Sequence, residues 1–148
     1  MKIKFFTAFI ISLVSLVGSL NAAIYYAAPN GNDANTKTQA QNITTPWKTV
    51  NASSNKLAAG DTLYVRGGSY HEVIEVWNSG TASSPILIIA YPGEFPIIDG
   101  EGTLPTGNWS NLVSLTGNYI YFSGFEVKNT KLGSSTLTLH TGGVFLNG

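Results

Sequence analysis

The 148-residue chain carries eight basic and eight acidic side chains, so its formal net charge is zero, and only 11% of its residues are charged. Such a balance gives no sign of nucleic-acid binding through a basic face, and the absence of cysteine excludes disulfides, thiolate catalysis and cysteine-based zinc sites. Sixteen glycines and many Ser, Thr and Asn, beside 43% hydrophobic residues, describe a turn-rich β protein rather than a disordered one.

The chain opens with Met1-Lys2-Ile3-Lys4, a short positive start. An apolar core follows from Phe5 to Leu20, then the small residues of Asn21-Ala22-Ala23. This layout reads as a secretory signal peptide over 1–23, with an uncleaved membrane anchor as the alternative. A spanning helix needs about 20 apolar residues, and this core is shorter and softened by Thr and Ser. Removing Lys2 and Lys4 leaves six basic against eight acidic side chains. The expected location is outside the cell or in a periplasm, with no membrane association after cleavage.

Residues 24–60 read as a strand, a loop and a helix. Ile24-Tyr25-Tyr26-Ala27 is a short strand, and Pro29-Asn30-Gly31-Asn32-Asp33 is dense turn chemistry. The polar run to Thr44 is expected to be a loop. Thr45 is placed to cap a helix with Pro46 as its first residue. Trp47, Val50, Ser54, Leu57 and Ala58 then share one helical face, and Gly60 is free to adopt left-handed geometry at the end.

From Asp61 onward the chain reads as strands divided by Gly, Ser and Pro. The apolar runs are Leu63–Val65, Val73–Trp77, Ile86–Tyr91 and Pro96–Ile98, each too short for a helix. Leu63 to Leu87 and Val73 to Ile97 are both steps of 24, as expected of a coil that stacks on itself. The fold class is therefore all-β: a right-handed parallel β-helix of about three coils, with the Trp47 helix as an N-terminal cap over the first. The alternative is an ordinary surface helix in an α+β domain. Leu87 and Ile89 break the alternation of Ile86–Tyr91, so this strand is covered on both faces or forms an outward apolar strip. Ile120, Phe122, Phe125 and Val127 are the expected inward set, with Ser123-Gly124 as a corner. Leu87 to Ile120 is a step of 33, which requires an insertion, placed at Thr103 to Trp109. Leu137, Leu139, Val144, Phe145 and Leu146 begin a further coil. The chain then stops at Gly148 inside a repeat. It reads either as the front of a longer protein, C-terminally incomplete over 61–148, or as a short protein whose open end pairs with a second copy.

Several stretches resemble the N-terminal region of secreted right-handed parallel β-helix proteins, and most closely the family 9 polysaccharide lyases that cleave pectate and related uronates. They are Tyr25-Tyr26-Ala27-Ala28-Pro29-Asn30-Gly31-Asn32-Asp33, Pro46-Trp47-Lys48-Thr49-Val50, and Leu57 to Gly68. Further on come Ser79-Gly80-Thr81, Ser84-Pro85-Ile86, Ala90-Tyr91-Pro92-Gly93-Glu94, Pro96-Ile97-Ile98-Asp99-Gly100 and Ser123-Gly124-Phe125-Glu126-Val127. The resemblance implies calcium-assisted β-elimination on an acidic, pectate-like polysaccharide, with a Lys-type base. In that family the calcium site is an aspartate-rich cluster on later coils. The three aspartates here, Asp33, Asp61 and Asp99, lie far apart in sequence, and no lysine aligns with the base. No catalytic or metal residue is carried over, and the substrate-binding residues stay unassigned.

Read without the resemblance, the candidate chemistry is sparse. Asp99-Gly100-Glu101 brings two carboxylates to one turn, short of the six to eight oxygens calcium takes; a solvated turn is the plainer reading. His71 and His140 have no second ligand at metal spacing. Arg66 and Lys128 are outward charges able to touch an acidic polymer. Trp77, Tyr119 and Tyr121 are outward aromatics able to stack on sugar rings or to pack at corners. Asn42, Asn51 and Asn108 stand in glycosylation-acceptor triplets, relevant only to a eukaryotic secretory route. Three functions follow: the front portion of a secreted polysaccharide lyase, inactive alone; a non-catalytic polysaccharide-binding β-helix module; or a structural or adhesive exported protein that self-associates through its open coil end.

Overall fold

The computed structural model describes residues 22–106 and 111–131, together with the strands Ser135–Leu139 and Val144–Asn147. Residues 1–21, Asn108, Trp109 and His140 lie outside the described residues. Among the described residues, eleven short strands fall into three all-parallel sheets. Sheet 1 runs, in spatial order, β1 (Ile24–Ala27), β2 (Thr62–Val65), β5 (Ile86–Ala90), β8 (Ile120–Ser123) and β11 (Val144–Asn147). Sheet 2 is β3 (Gly68–Tyr70), β6 (Pro96–Asp99) and β9 (Glu126–Lys128). Sheet 3 is β4 (Ile74–Val76), β7 (Asn111–Leu115) and β10 (Ser135–Leu139). The chain visits sheets 1, 2 and 3 in turn, three times over, so β2-β3-β4, β5-β6-β7 and β8-β9-β10 are three stacked rungs. This is a parallel β-helix, and its core is the column of inward side chains.

Alternation places that column. Leu63 and Val65 of β2, Ile86 and Ile88 of β5, and Ile120 and Phe122 of β8 are buried, and Leu63 stands in register with Ile88 and Ile88 with Phe122. Ile74, Val76, Ile98, Val113 and Leu115 close the other two walls. Phe125 and Val127 are only partly buried, though Phe125 stacks on Phe122 at 4.1 Å between ring centroids. Leu87 and Ile89 are half-buried on the outer face of sheet 1, which answers the broken alternation: the strip faces out and is partly covered.

The rungs repeat with a spacing that differs in detail from the expected 24 residues. Leu63 pairs with Ile88, not Leu87, one residue past the 24-residue step. The second step of 24 joined different sheets, because Val73 precedes β4 in sheet 3 while Ile97 belongs to β6 in sheet 2. The true partner of β6 in the first rung is β3, a Gly-Ser-Tyr strand with one apolar residue and so no periodic signal. The polar run before Thr44 also holds a one-turn helix, α1 (Lys37–Ala40), where a loop was expected. Thr36 and Gln39 close a reciprocal capping box around its start.

The helix expected from Thr45 begins later and is shorter. It is α2 (Val50–Ser54), and its cap is Thr49, whose side chain accepts from the Ala52 N–H. Pro46 and Trp47 precede it as extended chain. Trp47 bridges Ala27 in parallel, donating its N–H to Tyr26 O and accepting from Ala28 N on the free edge of β1. This approach requires Gly31, where a Cβ would fall 2.1 Å from Trp47 O. The Trp47 ring is fully buried, stacks on Tyr25 at 5.1 Å and donates Nε1–H to Asn35 O. Gly60 takes a left-handed φ of 90°, but it does not end the helix as expected: α2 stops at Ser54 with Asn55 as its C-cap, and Gly60 lies in the turn beyond.

Candidate functional site

Side chains of α2 and the turns around it complete the outer edge of the first rung. Asn51 Oδ1 accepts the Glu75 N–H, Asn55 Oδ1 accepts the Trp77 N–H, and Asn55 Nδ2 donates to Glu75 O. Two amides one helical turn apart thus satisfy the free edge of β4. Asn51, which stands in a glycosylation-acceptor triplet, has its amide oxygen committed to this edge. Asp33 accepts from the Lys48 and Thr49 N–H groups and from Thr49 Oγ1, and Glu72 accepts from the Val50 and Asn51 N–H groups. Burial works to raise the Asp33 pKa, but these hydrogen bonds prevail and hold it below the usual range. Burial pushes Glu72 up, outweighing the two N–H groups that favour its charge. These groups hold the frame together, and Glu72 and Thr49 also line, with Lys48, Ser69 and His71, an open depression of about 250 Å³.

The turn Asp99-Gly100-Glu101 does not gather ligands. Asp99 Oδ1 already accepts from the Glu101 N–H and from Asn129 Nδ2, and those bonds lower its pKa. His71 Nδ1 lies 2.9 Å from the Asp99 carbonyl oxygen and 3.8 Å from the Glu101 carboxylate. Among the described residues no three His, Asp or Glu side chains form a group able to hold a metal ion, so these residues do not fit calcium. Lys128 is 3.4 Å from Glu126.

Outward aromatics gather at two corners. Between sheets 3 and 1, Trp77 is 58% exposed and Tyr119 is 42% exposed. Tyr121 is half-buried on the outer face of sheet 1, in register with Leu87. The richer corner lies between sheets 1 and 2. On the outer face of sheet 1, Tyr26 stacks near Tyr64 at 6.1 Å and Tyr64 meets Tyr91 edge-on at 5.7 Å. The Arg66 guanidinium sits 4.9 Å over the Tyr91 ring and is held by Glu94, Nη2 to Oε1 at 2.7 Å. Glu94 Oε2 also accepts the Gly67 N–H. The Arg66 bond, then the Gly67 bond, hold the Glu94 carboxyl below its usual range. Beyond Glu94, Phe95 is 78% exposed. Arg66 was foreseen as an outward charge. Tyr91, Glu94 and Phe95 were not foreseen as a site, because in sequence they are a Pro-Gly turn and only the corner brings them beside Asn30 and Arg66.

Comparison with known proteins gives a consistent neighbourhood. A family model described as "Pel9A-like, right handed beta helix region" matches residues 25–147. Pectate lyase PEL9 of Emericella nidulans is 38% identical over 89 residues, covering 59% of this chain and 21% of the relative. Pectate lyase L of Paenibacillus polymyxa is 32% identical over 114 residues, covering 74% of this chain and 24% of the relative. The crystal structure of pectate lyase Pel9A superposes with a TM-score of 0.56 at 28% identity, over 71% of this chain and 28% of that one. The chain spans about a quarter of the length of the curated relatives it matches.

Proposed function

Because the chain belongs to the Pel9A-like right-handed β-helix family, we propose that it is the N-terminal portion of a secreted polysaccharide lyase acting on pectate or a related uronate polymer. The observation that carries this reading is the family match over residues 25–147, with pectate lyases among the relatives. The reaction is β-elimination: a base removes the proton on the carbon beside the uronate carboxylate, a carbon–carbon double bond forms as the C4–O glycosidic bond breaks, and the glycosidic oxygen leaves with the neighbouring sugar and takes up a proton. Calcium would supply charge neutralisation of that carboxylate. The described residues do not fit the ion, and no step of the reaction is assigned to them. Their part is to start the column on which later coils stack.

In this proposal 1–23 is the export signal, 24–60 starts and covers the column, and 61–148 forms its first coils, continuing in a longer protein. No described helix is long and apolar enough to cross a membrane. The test is direct. The purified chain, incubated with pectate and calcium, should release no unsaturated uronate measurable by ultraviolet absorbance. A version extended into further coils should release it. Calcium-dependent product from the chain alone would overturn this division of labour.

A further inference from the structure

The corner between sheets 1 and 2 holds two depressions on either side of Glu94. One, of about 360 Å³, is lined by Asn30, Arg66, Gly67 and Glu94 among others. The other, of about 500 Å³, is lined by Tyr91, Phe95 and Phe125 among others. Both fall in the size range of small-ligand sites. One is polar with planar groups, and the other is aromatic with an exposed ring.

This pairing matches the two faces of a sugar. A pyranose has hydroxyls that both donate and accept, and C–H faces that pack on rings. Arg66 only donates, Glu94 only accepts and the Asn30 amide does both, so together they can answer neighbouring hydroxyls. Phe95 offers the ring. Its side chain is mostly in water, which is unfavourable for an aromatic without an occupant. Charge decides which sugar. Arg66 is already neutralised by Glu94 through Nε at 2.8 Å and 2.9 Å as well as through Nη2. A uronate carboxylate would have to displace Glu94 and then lie beside it, while an uncharged unit can bridge the pair without breaking it.

We propose that this corner is a non-catalytic binding site for uncharged pyranose units of a polysaccharide, with Phe95 as the stacking platform and Asn30, Arg66 and Glu94 as the hydroxyl-binding group. The site is separate from the lyase reading and needs no elimination activity. It would let a protein acting on an acidic polymer hold neutral stretches or side branches of the same material.

The test is a titration of the ¹⁵N-labelled chain with galactotetraose, cellotetraose and tetragalacturonate as probes, followed by amide shifts. At least one neutral probe should shift Gly67 N–H and the Asn30 side-chain amide saturably and bind at least tenfold tighter than tetragalacturonate. Phe95→Ala and Asn30→Ala should each weaken that binding at least fivefold, and Trp77→Ala, at the other aromatic corner, should leave it within twofold. All three positions are exposed, so the variants should fold; the unchanged amide spectrum away from the corner checks it. No saturable shift with either neutral probe overturns the proposal, as does preference for tetragalacturonate or equal sensitivity to Trp77→Ala. None of these outcomes bears on whether the extended protein yields unsaturated product, so the two readings fail separately.

Discussion

Along one edge of β4 the partner is β7, a strand that repeats the geometry of β4 one rung later. Along the other edge the partner is the five-residue α2 with its two asparagines. The first edge is closed by repetition, and any sequence that keeps its alternation can close it. The second is closed by particular side chains at particular positions. Edge strands invite pairing with other chains; here the free edge of β1 is answered by the backbone of Trp47 and that of β4 by amides. The difference teaches that the first edge of sheet 3 can be closed without an extra strand, provided that the helix and its asparagines are specified residue by residue, whereas sheet 1 does begin with one, β1.

If this contrast is right, Trp47→Ala should do the greatest damage. Its ring is fully buried and stacked on Tyr25, so truncation should cost about 3–5 kcal/mol, as much as removing a large side chain from the middle of the core. Urea unfolding followed by circular dichroism measures it. A loss under about 1 kcal/mol would mean that the segment is a loose flap and the contrast is false. Asn55→Ala comes next, at about 1–3 kcal/mol, because it strips partners from both Glu75 O and the Trp77 N–H. Asn51→Ala should cost less, since it frees the Glu75 N–H alone among β4 groups. Hydrogen exchange gives the sharper reading: Glu75 and Trp77 amides should exchange faster in these variants, while those on the β7 ladder keep their protection.

The same contrast explains what sequence reasoning reached. The interior rungs are periodic, so Leu63, Val65, Ile120 and Phe122 declare an inward face and a stacked β fold follows. Their register is not legible to one residue, because Leu87 and Ile88 are both apolar and only pairing chooses Ile88. β3 is invisible because Gly68 and Ser69 carry no hydrophobic signal and Tyr70 alone packs inward. At the covered edge Trp47 and Val50 were legible as buried, but not the helix start. Thr45 was the expected cap, and the start at Thr49 is held by Asp33 and Glu72, which arrive from 16 and 22 residues away. The corner site was legible only as Arg66, since its other members are turn residues in sequence.

Asp33→Asn probes the covered edge through pH. The carboxylate is held below its ordinary value of 3.8, so its contribution is present above that value and lost as pH falls through the lower folded-state value. Glu72 has the opposite sign: raised above 4.5, its ionised form costs stability, and that cost is relieved as pH falls through its folded-state value. Asp33→Asn should therefore cost about 1–2 kcal/mol at neutral pH. The difference from wild type should shrink once pH passes below 3.8. Urea midpoints for the two proteins, compared at neutral pH and in acid, show whether the gap closes. A gap that stays constant would mean that Asp33 acts by packing and not by its charge.

The smallest effect belongs to Glu94→Gln, which takes the comparison to a part of the molecule that closes no edge. Its partner Arg66 is a third exposed, and such pairs contribute about 1 kcal/mol or less. The pair joins the residue just after β2 to the turn after β5, and those two strands are already held in register by the sheet 1 ladder. Removing its charge should therefore leave the urea midpoint nearly unchanged, and added salt should change wild type as little. A loss near 2 kcal/mol would place the corner within the frame, and the surface chemistry of Arg66, Glu94 and Phe95 would then be a by-product of holding the rungs together.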